Sequence, residues 1–122
     1  MGENARANNG DVSVAFELIG DRPAGRTNTD SALVTTAALA YAGLDLPLMS
    51  LHTSSTDSNL PMSLAIPAMT IGGGGNRGAA HTLQEWFAPT KSHQGPQLAF
   101  LIALGLTGIE GVSPALLPVL SK

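Results

Sequence analysis

The sequence predicts an α/β fold in which a partial mixed sheet is flanked by helices. The predicted segments run strand, helix, strand, short helix, strand, long helix, and this alternation is typical of layered domains with a partly parallel sheet. The first strand, at 12–19, alternates apolar and polar residues, whereas the strand at 68–71 is continuously apolar. The two strands are therefore expected in different surroundings and could belong to different sheets.

The first third of the chain contains a strand, a loop and a helix. Residues 12–19 (VSVAFELI) alternate as a half-buried strand does. The following GDRPAGRTNTD is rich in Gly, Pro, Asn and Asp and is predicted to be a loop. A helix is expected at 31–42, where apolar residues recur at helical spacing. Thr29 or Asp30 is the expected N-cap, and Gly43 the expected C-terminal stop.

The middle of the chain is predicted to contain two strands and a short helix. The stretch LPLMSLHT (46–53) is interpreted as a strand that leads into a polar turn. A short helix is expected at 60–66, with Pro61 in its first turn, and Pro67 ends it. The apolar AMTI (68–71) is predicted to be a buried strand.

The last third begins with a glycine-rich segment and ends with a long helix. GGGGNRG (72–78) is too rich in glycine for regular structure, and HTLQEWF (81–87) is expected to be a loop or a short helical turn. A long helix follows at about 94–106, and its body is almost wholly apolar. Because such a helix packs on more than one side, the chain is expected to be a piece of something larger.

Composition excludes several classes of protein. The 122 residues amount to one domain at most, and 43% hydrophobic with only 12% charged residues excludes a disordered chain. Net charge is −3 and the arginines are scattered, so nucleic acid is not an expected partner. The longest apolar run, 98–106, is too short to span a bilayer, so a membrane is not expected either. With no cysteine, any metal must be held by His, Asp or Glu. No signal-like apolar stretch opens the chain, and a cytoplasmic protein is expected.

Four segments carry a resemblance to a known family. They are GDRPAG (20–25), STDSN (55–59), IPAMTIGGGG (66–75) and AHTLQEW (80–86). In this order and spacing the chain resembles the dinuclear zinc exopeptidases, the family of peptidase T, glutamate carboxypeptidase and aminoacylase, from about residue 12 to 106. The resemblance implies a metallopeptidase, a hydrolase with two zinc ions as cofactor and short peptides as substrate. Aminopeptidase or dipeptidase activity is expected, and the pattern looks nearer to peptidase T.

The resemblance also implies a division of the chain. Residues 1–20 would be the last strand of an inserted lid or dimerisation domain. Residues 21–122 would be the C-terminal part of the catalytic domain. The first 20 residues are expected to be poorly ordered, or to pair with the edge of another copy.

His81 is the expected metal ligand. The resemblance implies that this histidine binds the second metal ion, and neutral imidazole is a good zinc ligand. By residue chemistry alone, a single histidine is more often a surface loop residue, since zinc needs three or four protein ligands. Glu85 is expected either to orient His81 or to be exposed. His52 and His93 are expected to have structural roles.

Arg22 is the first expected substrate-binding residue. The resemblance implies that it holds the substrate carboxylate, and a guanidinium does so with two parallel hydrogen bonds. A surface ion pair with Asp21 or Glu17 is an equally good interpretation of the same residue.

Gly73, Gly74 and Asn59 complete the expected substrate-binding set. The resemblance implies that the glycine loop borders the substrate cleft with its backbone N–H groups. A flexible connection or a phosphate-binding loop is the alternative, although the loop lacks both a following Lys-Ser or Lys-Thr and the GxGxxG spacing. Asn59 and Asp57 could instead order the loop or cap the next helix.

The chain lacks the remaining residues that the family's site needs. It contains neither an HxD segment nor a pair of adjacent glutamates, so no catalytic residue is assigned. The chain alone is expected to be inactive, as a truncation, a fragment or one half of a split enzyme. Its expected partner is an N-terminal catalytic half or a second copy. Two alternatives remain: a non-enzymatic remnant that self-associates as a binding module, and, more weakly, a nucleotide-binding module.

Overall fold

The computed structural model describes residues 14–47 and 50–117. Within these ranges the chain forms three helices and one two-stranded antiparallel sheet, a small mixed α/β arrangement. The elements in chain order are α1 (Ala32–Gly43), α2 (Asn59–Ser63), β1 (Asn76–Gly78), β2 (Trp86–Ala88) and α3 (Gln94–Thr107).

The prediction of the first helix is confirmed, but its N-cap was assigned to the wrong residue. α1 begins after Ser31, whose hydroxyl oxygen accepts the backbone N–H of Val34 at 3.4 Å. Ser31 therefore satisfies one of the N–H groups that a helix leaves without a partner at its start. The expected caps, Thr29 and Asp30, lie in the turn before it.

The end of α1 also differs from the expectation. Gly43 is the last helical residue, and it does not adopt a positive φ. Instead, Leu44 donates its backbone N–H to Ala40 at 3.2 Å, and Asp45 turns the chain with a φ of 49°. Aspartate is among the residues that tolerate this left-handed region best, so the helix ends without a glycine in that position.

The long C-terminal helix is confirmed. α3 spans Gln94–Thr107, and Pro96 occupies its first turn, where the missing N–H removes no helical hydrogen bond. Gly108 follows with a φ of 77° and donates its N–H to Leu104 at 2.9 Å. No helix in the described ranges has the length and apolar character needed to cross a membrane.

The core lies between α1 and α3. Ala37 and Leu98 are its most buried members, at 0% and 2% exposure. Gly105 lets the helices approach closely, because a Cβ at this position would stand 2.6 Å from the Cγ2 of Thr36. The buried cluster consists of Ala37, Ala40, Leu98, Ile102 and Leu106.

The sheet lies where the sequence predicted irregular structure. β1 pairs with β2 in antiparallel register, with Arg77 opposite Phe87. The prediction of irregular structure at 72–78 is therefore wrong for its last three residues, Asn76–Gly78. The segment at 81–87 was expected to be a loop or helical turn, and its last two residues belong to β2. Asn76–Gly78 has low β-propensity, so only its pairing with β2 makes it a strand.

Three predicted strands are wrong in the described part of the chain. Residues 14–19, 46–47 with 50–53, and 68–71 form no strand, while residues 12–13 and 48–49 lie outside the described ranges. A strand needs a neighbour for its backbone N–H and C=O groups, and none of these segments has one among the described residues. The partly parallel sheet is corrected accordingly to a two-stranded antiparallel one.

The short helix is confirmed in part. α2 spans Asn59–Ser63 rather than 60–66, with Pro61 in its first turn as expected. Ala65 has a φ of 59° and ends the helix before Pro67 is reached. The turn at Ala65, not the proline, therefore sets its C-terminal boundary.

The side chain of Thr27 makes hydrogen bonds to both backbone groups of Ala68, the groups that a neighbouring strand would bind if residues 68–71 were in a sheet. Its hydroxyl donates to the carbonyl oxygen of Ala68 at 2.6 Å and accepts the N–H of the same residue at 2.9 Å. One side chain therefore satisfies both backbone groups across 41 positions of sequence. This contact ties the segment before α1 to the segment after α2.

We expect Thr27→Val to destabilise the fold by about 1–2 kcal/mol, because two partly buried backbone groups lose their partner. Urea denaturation followed by circular dichroism measures the loss. Thr29→Val is the matched control, since Thr29 is exposed and makes no side-chain hydrogen bond within the described ranges. Equal losses in the two variants would show that the Thr27–Ala68 contact contributes nothing specific.

Candidate functional site

Arg22 and Asn59, two of the expected substrate-binding residues, lie in one polar cluster. The guanidinium of Arg22 is 3.4 Å from a carboxylate oxygen of Asp57. The side-chain amide of Asn59 donates to the carbonyl oxygen of Pro23 at 3.3 Å, and its oxygen accepts the N–H of Thr56 at 3.1 Å. Asn59 thus holds the Arg22 loop against the residues that precede α2.

The ion pair between Arg22 and Asp57 is exposed to solvent. The side chains of Arg22 and Asp57 are 49% and 104% exposed, so water screens their attraction and the pair contributes little to stability. The sequence allowed an ion pair with Asp21 or Glu17, and the structure shows Asp57 as the partner instead. Because the pair is weak, Arg22 can exchange Asp57 for another carboxylate at small cost.

A chain of three hydroxyl groups lies next to this pair, and sequence reasoning missed it. Thr70 donates to Thr56 at 2.9 Å, and Ser58 lies 2.6 Å from the hydroxyl of Thr70. Since Thr70 uses its single proton on Thr56, Ser58 donates to Thr70. The contacts join residues 12 and 14 positions apart, and no local sequence pattern reports a pairing at that distance.

The glycine loop packs against the first turn of α3. Gly74 has a φ of 83°, and a Cβ there would collide with the carbonyl oxygen of Ser92. Gly75 has a φ of 73°, and a Cβ would stand 2.6 Å from the ring of Phe87. A Cβ added at Gly73 would meet nothing within 4 Å, although the backbone carbonyl of Gly73 lies against Gly95. The tight packing at Gly74 and Gly75 argues against a merely flexible connection there.

The loop also lacks the geometry of a phosphate-binding loop. Such a loop passes directly into the N-terminus of a helix, whose N–H groups then face the phosphate. Here the glycines pass into β1, and α3 begins only at Gln94. The nucleotide-binding alternative therefore has no support from the local fold.

A cavity of about 620 Å³ lies between the end of α1, the glycine loop and the start of α3. Its described lining includes Gly74 and two charged residues, Asp45 and Lys91. Arg22, Asn59 and His81 are not among the residues that line it. The cavity therefore does not gather the residues that the sequence singled out.

His81 lies in the turn between β1 and β2. It is exposed and adopts a φ of 65°, and its backbone N–H donates to a carboxylate oxygen of Glu85 at 3.2 Å. A left-handed conformation costs about 1–3 kcal/mol in a residue other than glycine, although histidine adopts it more readily than most. Glu85 therefore fixes the backbone of His81.

The turn is held by further hydrogen bonds of its own. The hydroxyl of Thr82 donates to the carbonyl oxygen of Ala79 at 2.7 Å and accepts the N–H of Gln84 at 3.2 Å. These bonds, with the one that His81 donates to Glu85, order the chain on both sides of His81. The exposed imidazole thus projects from an ordered turn.

The donor set around His81 does not fit a complete zinc site. Zinc in proteins takes three or four protein ligands. Among residues 14–47 and 50–117, no group of three or more His, Asp or Glu side chains is arranged to hold a metal ion. The described residues would thus supply fewer than three ligands at any one position, and the others would have to come from elsewhere.

Neither of the other two histidines makes a side-chain hydrogen bond or an ion pair with the residues that the structure describes. His52 is exposed and lies outside any strand. His93 occupies the N-cap of α3 but makes no capping hydrogen bond with its side chain. Both therefore serve as natural controls for the role of His81.

No protein-family model matches the chain. No curated protein sequence matches it significantly. Its functional class therefore rests on the residues and geometry described above.

Proposed function

We propose that this chain is a segment of a zinc-dependent metallopeptidase that hydrolyses short peptides, of aminopeptidase or dipeptidase type. The observation that carries the proposal is the succession of four sequence segments, at 20–25, 55–59, 66–75 and 80–86, in the order and spacing of the dinuclear zinc exopeptidases. In this proposal residues 21–122 are the C-terminal part of the catalytic domain, and residues 1–20 are the last strand of its lid.

The turn at His81 supports the proposal. The imidazole is exposed, and the turn that carries it is ordered by backbone N–H groups that donate to the side chains of Glu85 and Thr82. A backbone held in a sparsely populated conformation is typical of functional positions. In the intact enzyme His81 would be one ligand of the zinc pair, and the remaining ligands would come from the N-terminal catalytic half.

The polar cluster around Arg22 fits the binding of a peptide carboxylate. The guanidinium is half exposed, and its only ion-pair partner among the described residues is the fully exposed Asp57. A substrate carboxylate would replace that partner and accept two parallel hydrogen bonds. Asn59 holds the loop of Arg22 in place. Gly74 lines the separate cavity beside α3, so the N–H groups of Gly73 and Gly74 would border a different part of the substrate cleft.

The chain alone would be inactive under this proposal. Hydrolysis requires a group that takes a proton from the attacking water, and the family uses one of two adjacent glutamates that this chain does not contain. An N-terminal catalytic half, as a separate chain or as a preceding part of the polypeptide, would supply that group.

We expect the chain alone to cleave no di- or tripeptide. Mixed with a candidate N-terminal half and zinc, it should cleave them at a rate that chromatography of the released amino acids measures. His81→Ala should lower that rate by at least about 100-fold, since loss of a metal ligand removes the metal-dependent reaction. Hydrolysis by the chain alone would contradict the proposal.

The matched control is His52→Ala, which removes an exposed histidine that makes no hydrogen bond within the described ranges. Its rate should equal that of the unchanged chain. If both variants lose activity to the same extent, the loss reflects histidine removal in general, and His81 is not the ligand.

A second candidate function is that of a non-enzymatic module that self-associates. It is favoured by the many large apolar side chains that are exposed in the described part of the chain, among them Leu39, Leu83 and Phe100. The peptide assay separates the two functions, because a self-associating remnant gains no activity when the N-terminal half is added.

A further inference from the structure

The cavity beside α3 contains two opposite charges that have no partner among the described residues. Asp45 lies two residues after α1 ends, and Lys91 lies three residues before α3 begins. Both residues line the cavity of about 620 Å³. The one ion pair in the described ranges is that of Arg22 with Asp57, so Asp45 and Lys91 are not paired with each other there. The cavity therefore offers a carboxylate and an ammonium group to a ligand.

The two helix ends at the cavity have the same polarity as these charges. The C-terminal end of a helix carries partial negative charge, and the N-terminal end carries partial positive charge. The last turn of α1 contributes Tyr41 to the lining and contains no basic residue. The first turn of α3 contributes Gln94 and Gly95 and contains no acidic residue. The α1 side of the cavity is thus negative, and the α3 side is positive.

Asp45 and Lys91 also share an unusual backbone conformation. Their φ angles are 49° and 57°. This left-handed region is unfavourable for residues other than glycine, and aspartate adopts it more readily than lysine does. Residues held there are concentrated at active sites and ligand-binding positions. The backbone strain at both charged positions thus supports a ligand site rather than an incidental gap between the helices.

The cavity has an apolar wall as well. Leu98 of α3 is buried, and Tyr41 and Leu46 are half-buried. All three residues line the cavity. Ligand pockets of about 300–1,000 Å³ combine such apolar walls with a few polar groups that fix the orientation of the ligand. The cavity therefore suits a ligand that has two opposite charges and an apolar part.

We propose that this cavity binds a free α-amino acid with a large apolar side chain. The ammonium group of the ligand pairs with Asp45 at the end of α1, and its carboxylate pairs with Lys91 at the start of α3. Its side chain lies against Leu98 and Tyr41, where apolar surface is removed from water. Under the proposed function, which places the glycine loop beside the substrate cleft, such an amino acid would be a product of the peptidase.

A nuclear magnetic resonance titration of the purified chain, in buffer with a metal chelator, tests the proposal. L-Phenylalanine should shift the backbone amide signals of Gly74, Lys91 and Gly95 until they saturate. Phenethylamine lacks the carboxylate and hydrocinnamate lacks the ammonium group, so each should bind at least about fivefold more weakly. Glycine keeps both charges but has no side chain, and it should also bind more weakly.

Two substitutions assign the two charges. Asp45→Asn should weaken the binding of phenethylamine and leave that of hydrocinnamate unchanged, whereas Lys91→Asn should do the reverse. Asparagine is neutral and tolerates a positive φ, so both variants should keep the fold, which circular dichroism checks. Asp30→Asn and Arg26→Asn are the matched controls, since both residues are exposed and neither lines the cavity. The controls should bind all four ligands as the unchanged chain does.

Three results would overturn the proposal. They are shifts that grow linearly with ligand concentration, binding that neither substitution weakens, and equal affinity for L-phenylalanine and glycine. The titration uses no metal, no peptide and no second chain, so its outcome is separate from that of the peptide assay. A chain that binds L-phenylalanine but gains no peptidase activity with an N-terminal half would keep the amino acid site and contradict the proposed function.

Discussion

Leu98→Ala is expected to unfold most of the described structure. Leu98 is 2% exposed and lies at the centre of the cluster that joins α1 to α3. Replacing a buried leucine by alanine costs about 2–5 kcal/mol. Small domains have a total stability of only about 5–15 kcal/mol, and this core has few buried members to absorb the loss. Urea denaturation followed by helix content should show a transition shifted to low urea or absent.

The matched control for that core prediction is Leu39→Ala on α1. Leu39 is 74% exposed, so its loss removes little buried surface, and alanine is at least as good a helix former as leucine. Its denaturation midpoint should therefore stay near that of the unchanged chain. Equal losses in the two variants would contradict the packing of α1 on α3 described here.

Gly95→Ala has the second largest expected effect, and its sign is opposite to that of helix propensity. Alanine normally stabilises a helix relative to glycine by about 1 kcal/mol. Here the added Cβ would collide with the carbonyl group of Gly73 and stand 2.6 Å from the N of Gly74. Both are backbone atoms of the glycine loop and cannot rotate away. We expect a net loss of about 1–3 kcal/mol, measured by urea denaturation.

Gly43→Ala is the matched control for the glycine substitution. Gly43 also lies in a helix, but a Cβ there meets nothing within 4 Å and its φ is not positive. The change should stabilise the chain slightly or leave it unaltered. If Gly95→Ala behaves in the same way, the glycine loop does not pack on α3 as described.

The helices could be predicted from sequence because their signals are local. The apolar spacing at 31–42 and the apolar run at 94–106 report helices without reference to the rest of the fold, and Pro61 marked the first turn of α2. The predicted helix boundaries were wrong where a single side chain or φ angle sets the end of a helix, as at Ser31 and Ala65. Those choices depend on single hydrogen bonds and turns that the residue pattern does not encode.

The strands could not be predicted because pairing decides them. The apolar alternation at 14–19 and the apolar run at 68–71 suit a strand, yet neither finds a neighbour in the described part of the chain. The residues of Asn76–Gly78 suit a turn, yet they pair with Trp86–Ala88. A strand forms only when two segments pair, so the residue pattern of one segment does not decide whether it becomes a strand.

The sequence predicted individual residues of the candidate site but not the contacts between them. The motifs singled out Arg22, Asn59, Gly74 and His81, and the structure joins the first two through one polar cluster. The ion pair with Asp57 and the hydroxyl chain were missed, because both connect positions that are far apart in sequence. Long-range contacts of exposed polar residues leave no periodic signal in the chain.

Zinc binding measured by calorimetry tests the central claim most directly. We expect the chain alone to bind zinc weakly or not at all, because His81 has no complete ligand set around it in the described ranges. A mixture with a candidate N-terminal half should gain two tight sites, and His81→Ala should remove them while His52→Ala leaves them intact. Tight zinc binding by the chain alone would contradict the claim, since it would mean that His81 already has its partners within this chain.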